Sequence, residues 1–180
     1  MSEVCIYDAF SAFEAVAAAK GYWHLLHTRS RQEKALCETL ASKGIAHYLP
    51  IANVTRNYGG RKVPVELPLF PGYVFLKGNL DEAYAADRTK RVAGIIRVVD
   101  QEKIGWELRN LALALTRSAT LDPYPYLRVG VRVEVRSGPL AGIQGVIENR
   151  AKRDRLILQV DVLGQATSLE IDGAILDVIE

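Results

Sequence analysis

A chain of 180 residues, 49% apolar and with a formal charge of +2, has enough hydrophobic surface for one medium domain or two small ones. No run reaches the roughly 18 apolar residues a membrane-spanning helix needs, and Cys5 and Cys37 lie far apart with no CxxC, which excludes a zinc framework or a disulfide scaffold as an expectation. The charge is unevenly spread: 29–62 has seven basic residues against two acidic, whereas 121–180 has seven against nine, so the first part is the one suited to nucleic acid.

In residues 1–20, Phe10, Phe13, Val16 and Ala17 recur at helical spacing and predict a short amphipathic helix docked on its own chain. The stretch lacks a basic leader region, and Asp8 and Glu14 interrupt any apolar run, so it does not read as a signal peptide and a cytoplasmic protein is expected. Trp23 to Thr28 reads as a strand with Trp23, Leu25 and His27 on one face and His24 and Leu26 on the other. That parity separates His24 from His27, His47 stands alone, and no metal site is expected. Ser30-Arg31-Gln32-Glu33 has the form of a capping box that would start a helix at Arg31, with Ala35, Leu36 and Leu40 buried and Gly44 ending it. A second strand is expected over Ile45 to Pro50, then a hairpin through Tyr58-Gly59-Gly60-Arg61 whose tip carries Arg56, Arg61 and Lys62.

The stretch Glu66 to Phe75, ELPLFPGYVF, follows. Pro68 and Pro71 cannot donate to a sheet ladder, and Gly72 permits a bend before a strand that sets Tyr73 and Phe75 on one face and Val74 and Leu76 on the other. Both faces are apolar, so the aromatics Phe70, Tyr73 and Phe75 either fill the core or form a surface that needs a partner. Asn79 with Glu82 forms a second capping signature for a helix to about Lys90, Gly94 to Val99 reads as a strand, and Ile104, Leu108, Leu111 and Leu115 mark a helix ending near Ser118. Four strands with helices on one face is the ferredoxin-like arrangement.

Alternate prolines in Leu121-Asp122-Pro123-Tyr124-Pro125-Tyr126 forbid helix and read as a linker. From Arg128 on, short β-branched runs alternate with turn residues, about five strands without helical period, which predicts a small SH3-like β-barrel with tight corners at Gly142 and Gly145. The fold class is α+β, divided as 1–20 extension, 21–119 first domain, 120–127 linker and 128–180 barrel. GxSxG, P-loop, GxGxxG and HExxH motifs are absent and the carboxylates are scattered over separate elements, so the chain reads as a binding protein without cofactor rather than an enzyme.

Trp23-His24-Leu25-Leu26, LFPGYVF about fifty residues on, and SGPLAGIQGVIE (Ser137 to Glu148) together resemble the NusG family of transcription elongation factors. The first domain is similar to the specialised branch typified by RfaH, and the barrel to the family's KOW domain. The resemblance implies a monomer that docks on the clamp helices of bacterial RNA polymerase through His27, Phe70, Pro71, Tyr73, Phe75 and Ile95. It implies a face for the non-template DNA strand at Arg29, Gln32, Thr89 and Lys90, flanked by Arg31 and Arg91. It further implies a barrel that meets a small-subunit ribosomal protein or Rho near Leu163 and Gln165. Gln165 departs from the arginine of the general factor, and Ala83-Tyr84-Ala85-Ala86 lacks the hydroxyl run that contacts the polymerase gate in RfaH. The reading that follows is a pausing and termination suppressor on selected operons. A housekeeping NusG is the second reading, and a ribosome- or RNA-associated KOW module the third.

Overall fold

The structure, a computed structural model, describes residues 9–117, 122–124, 130–150, 153–171 and 175–179. It divides into two compact units, one of residues 12–101 and one of residues 1–11 with 102–180. The first holds a four-stranded antiparallel sheet. Its strands are β1 (Tyr22–Thr28), β2 (His47–Tyr48), β5 (Tyr73–Gly78) and β6 (Val92–Arg97), in the order β2-β5-β1-β6. Between them run α2 (Glu33–Ser42) and α3 (Leu80–Asp87), and the hairpin of β3 (Ile51–Tyr58) and β4 (Arg61–Pro68) is inserted as a separate two-stranded sheet. This is the expected ferredoxin-like order with an insertion.

Burial follows the strand parity read from the residues. Leu26, Val74 and Leu76 join Leu36 and Leu40 of α2, Ala86 of α3, Ile45 and Val92 in one apolar cluster. Trp23, Leu25 and Phe75, on the opposite face, are buried as well. Helix α1 (Ala9–Ala17) docks in cis as expected: Phe13 stacks parallel on Trp23 with ring centroids 6.2 Å apart and meets Tyr48 edge-on at 5.4 Å. Gly44 closes α2 at φ +67°, its N–H donating to the Ala41 carbonyl.

Three expectations change. The capping box at Ser30 does not form: α2 begins at Glu33 without a side-chain cap, and Arg31 sits at φ +59°, outside helical geometry. The second strand shrinks to His47–Tyr48, whereas the hairpin extends to Pro68. The expected linker contains a strand, β7 (Asp122–Tyr124), paired with β11 through Ala166↔Tyr124 and Ser168↔Asp122.

That pairing belongs to the second unit, a six-stranded antiparallel sheet in the order β12-β8-β9-β10-β11-β7. Its other strands are β8 (Val131–Val135), β9 (Gln144–Arg150), β10 (Arg153–Val160), β11 (Gln165–Ile171) and β12 (Leu176–Val178). A meander from β8 to β11 whose last strand, β12, returns to pair with β8 is the expected small barrel, with β7 added at the edge of β11. Proline is compatible with β7 because an edge strand needs only half its ladder donors. Central strand β10 is buried on both faces at Leu156, Ile157 and Leu158. Gly145 lies so close to it that a Cβ would stand 2.6 Å from the Ile157 carbonyl oxygen.

Helix α4 (Gln101–Thr116) belongs to this unit from Glu102 onward. Its buried polar residues are answered by the barrel backbone. The Asp161 N–H donates to the Glu107 carboxylate at 3.2 and 3.3 Å, and the Gln144 N–H donates to Asn110 Oδ1 at 2.9 Å. Trp106 Nε1–H donates to Gln144 Oε1 at 2.7 Å, and the Arg132 guanidinium lies 4.7 Å from the Trp106 ring. Among the described residues no helix is long and apolar enough to cross a membrane.

Candidate functional site

The Phe70-Pro71-Gly72-Tyr73 turn is held from two sides. Gly72 sits at φ +88°, a conformation that an L side chain adopts only under strain. Its N–H donates to Glu33 Oε1 at 2.7 Å and its carbonyl accepts from the Thr28 N–H at 2.8 Å. Glu33, nine-tenths buried, is therefore a brace between the first turn of α2 and the entry to β5. Strand register places His27 opposite Tyr73, and their rings stack with centroids 5.1 Å apart and planes 21° from parallel. His27 and Pro71 are exposed and Tyr73 is half-buried, so the turn presents a small, rigid, largely aromatic surface.

The larger aromatic surface expected from the sequence is corrected here. Phe70 is 3% exposed and Phe75 is fully buried, Phe75 lying between Leu25 of β1 and Tyr48 of β2 in the sheet. Both act as core that fixes the turn from behind. Ile95 pairs with Leu26 and packs on the apolar cluster under α2 and α3, so it occupies the opposite face from the His27 and Tyr73 rings. Ile96, one residue on, shares the face of Leu25 and is 36% exposed.

Beyond His27 the pairing of β1 with β6 shifts register, a bulge that re-aims the chain as it leaves the sheet. The Arg29 N–H donates to the Arg91 carbonyl at 2.8 Å, and this bond joins the loop after β1 to the loop before β6. Arg29, Arg31, Gln32, Thr89, Lys90 and Arg91 are thus brought together from two stretches of the sequence, 29–32 and 89–91. Arg29, Arg31 and Lys90 are exposed, whereas Gln32, Thr89 and Arg91 are half-buried and occupied with one another. Arg91 Nη1 donates to Gln32 Oε1, the Arg91 N–H donates to Thr89 Oγ1 at 3.3 Å, and the Thr89 hydroxyl donates to the Ala86 carbonyl at 2.7 Å. Arg31 and Lys90 are the two non-glycine residues with positive φ among those described, and both lie in this cluster. Backbone held in that region at both positions marks a surface whose shape is set by its surroundings. Cations next to the C-terminus of α3 also meet the negative end of its dipole.

His24 Nε2 lies 3.3 Å from the Gly78 carbonyl and His47 Nδ1 lies 2.9 Å from that of Ile45. Among the described residues no three His, Cys, Asp or Glu side chains are placed to hold a metal ion. Cys37 is a half-buried free thiol, pushed up to about 12 by burial and, behind that, by Glu33 and Glu38. In the barrel, Leu163 and Gln165 flank Gly164, which turns the chain at φ +59° after a short 3₁₀ turn (Asp161–Leu163). Cys5 lies outside the described residues. One feature escaped the sequence reading: Glu33 looked like a capping residue because its spacing from Ser30 fits that pattern. Between the core and surface readings of Phe70, no local signature decides.

The chain is similar to known proteins at the level of a family profile, named relatives and solved structures. The profile described as "Transcription termination factor nusG" matches residues 21–109, which contain both the braced turn and the basic cluster. The chain is similar to the protein named transcription termination/antitermination protein NusG of Rickettsia typhi, 28% identical over 167 residues, covering 83% of this chain and 86% of that one. The like-named protein of Neisseria meningitidis is 27% identical over 83% of this chain and 93% of its own length, and that of Lactococcus lactis is 29% identical over 78% of each. Among solved structures, one titled "Domain interaction in Thermotoga maritima NusG" is 23% identical and covers 89% of this chain and 98% of its own, with a TM-score of 0.43.

Proposed function

We propose, from the premise that residues 21–109 form a NusG-family domain, that this chain is a NusG-type transcription elongation factor that binds bacterial RNA polymerase in the cytoplasm. The observation that carries the proposal is the stacked His27 and Tyr73 pair beside exposed Pro71, on a turn fixed through Gly72 by Glu33 and Thr28. A rigid aromatic surface loses little conformational entropy on docking, and aromatics contribute a disproportionate share of interface energy. Phe70 and Phe75 support this surface from the core, and His27, Pro71 and Tyr73 make the contact. Ile95 enters only through its packing behind β1.

Family members of this kind are transcription factors, not enzymes, and the proposed action is a population shift. Binding across the polymerase cleft favours the closed state over the paused, opened one. The basic cluster adjoins the aromatic surface along the end of β1, which suits it to the displaced non-template DNA strand. Arg29, Arg31 and Lys90 meet phosphates, while Gln32 and Thr89 hold Arg91 in place. Such contacts are sequence-independent and salt-sensitive. In the barrel, Leu163 and Gln165 are the proposed contacts for a small-subunit ribosomal protein or Rho. Gln165 in place of arginine supports action on selected operons over a housekeeping role, and Gln165→Arg should then increase affinity for the barrel's partner.

The test is binding of the full chain to core RNA polymerase, wild type beside His27→Ala with Tyr73→Ala, followed by a pausing assay. The double variant should bind about tenfold or more weakly and fail to suppress pausing, with its thermal unfolding unchanged. Equal binding by both proteins would overturn the assignment of this surface. Binding of structured RNA without binding of polymerase would favour the RNA-associated reading instead.

A further inference from the structure

The hairpin of β3 and β4 carries a surface that polymerase docking and the β1/β6 cluster leave unused. Its base is fixed: the Leu69 N–H donates to the Pro50 carbonyl at 2.8 Å, and Lys34 Nζ donates to the Glu66 carbonyl at 3.0 Å. Eight-residue strands span roughly 26 Å, and among the described residues they pair with each other and with no further strand. The register sets Val54 and Val65, Arg56 and Val63, and Tyr58 and Arg61 on one face, with Thr55 and Pro64, and Asn57 and Lys62, on the other. Tyr58 is 56% exposed, and Val54 and Val63 are about 40% exposed. A lone two-stranded ribbon with an open apolar face is marginal in water and gains most from a partner that covers it.

The charges specify that partner. Residues 51–65 contain Arg56, Arg61 and Lys62 and no acid. These cations lie on both faces of the ribbon near its tip, which is narrow because Gly59 and Gly60 make the turn at φ +57° and +86° with no side chains. An acidic protein or a membrane would present one surface and draw cations to one face. A groove of double-stranded DNA presents phosphates on two walls, and its major groove admits a two-stranded ribbon. A single-stranded nucleic acid would need a row of stacking platforms, and the hairpin has Tyr58 alone.

We propose that the β3–β4 hairpin is a duplex-DNA arm whose tip enters the major groove. Arg56 and Arg61 contact one phosphate wall, with Tyr58 and Val63 on the same face packing against its sugars, and Lys62 on the other face contacts the opposite wall. This binding is separate from polymerase docking and from the β1/β6 cluster, so it is measured without polymerase.

The experiment is fluorescence anisotropy of a short labelled DNA duplex with the full chain across a salt series. Arg56→Ala/Arg61→Ala/Lys62→Ala should weaken binding about tenfold or more and flatten the slope of log Kd against log salt by about 2 to 3, with an unchanged melting curve. Tyr58→Ala, which keeps every charge, should weaken it several-fold. Lys43→Ala, which removes an exposed cation at the end of α2 outside the hairpin, should retain the duplex affinity. Absence of duplex binding by wild type, an unchanged salt slope in the triple variant, or equal affinity for a single strand would each overturn the proposal. A dimer that Val63→Asp dissociates, in a chain that ignores DNA, would assign the face to a second copy and overturn it as well.

Discussion

At Glu33 one side chain does what the sequence assigns to another role. Its carboxylate accepts the Gly72 N–H at 2.7 Å from within the protein, so removing it leaves a half-buried backbone donor unanswered and frees the turn that carries Tyr73. Glu33→Ala should therefore cost about 1 to 3 kcal/mol in urea unfolding and also weaken polymerase binding, whereas a variant of an exposed α2 residue such as Glu38→Ala should do neither. Tyr48 gives the opposite sign. Its hydroxyl is buried with no hydrogen-bond partner among the described residues, and burial pushes the phenol well up from its ordinary value. Tyr48→Phe removes the unanswered group while keeping the ring against Phe13, and should raise stability by about 1 kcal/mol in the same assay. Cys37 adds a pH dependence: its thiol is raised from 9.0 to about 12 by burial, so between those values the unfolded chain loses a proton that the folded chain keeps. Stability from this site is complete below pH 9 and falls as pH rises towards 12, and Cys37→Ala should flatten that part of the profile in denaturation measured from pH 8 upward.

Two sequence signatures of one form behave differently as elements. Asn79 with Glu82 makes a complete capping box: the Glu82 N–H donates to Asn79 Oδ1 at 2.9 Å and the Asn79 N–H donates to Glu82 Oε2 at 2.7 Å. Ser30 with Glu33 has the same spacing and makes none, because Glu33 is drawn to Gly72, 39 residues away, and Arg31 at φ +59° breaks the first turn. Asn79→Ala should cost about 1 kcal/mol and Ser30→Ala close to nothing, compared by urea unfolding of the two variants. Local patterns made the strands legible through their parity, and α1, α3, α4 and the barrel meander through spacing and turn residues. What stayed illegible was decided at long range. Phe70 and Phe75 carry the same period as an exposed aromatic surface, and only the neighbours that β1 and β2 supply make them core. Proline at 123 reads as a linker locally, yet pairing with β11 makes it part of an edge strand.

The division of the whole molecule was the least legible feature, because the apolar stripe of α4 says that the helix is buried and not against what. The polar residues on it carry that information. Glu107 and Asn110 are 4% and 2% exposed, and a buried carboxylate or amide must find donors or acceptors. Theirs are the backbone N–H groups of Asp161 and Gln144. Helix α4 is thereby committed to the barrel by hydrogen bonds that require one register of helix on strand, whereas apolar packing alone tolerates sliding. It follows that α4 and the barrel open as one cooperative unit, separately from the sheet of residues 12–101. Gly145→Ala tests this from inside the barrel, since its Cβ would press within 2.6 Å of the Ile157 carbonyl without touching α4. In native-state hydrogen exchange, the amides of α4 should lose protection together with those of β9 and β10, by the same free energy, while those of β1 and β5 keep theirs. If the α4 amides follow β1 instead, the helix belongs energetically to the first unit, and the bonds from Glu107 and Asn110 are too weak to hold it to the barrel.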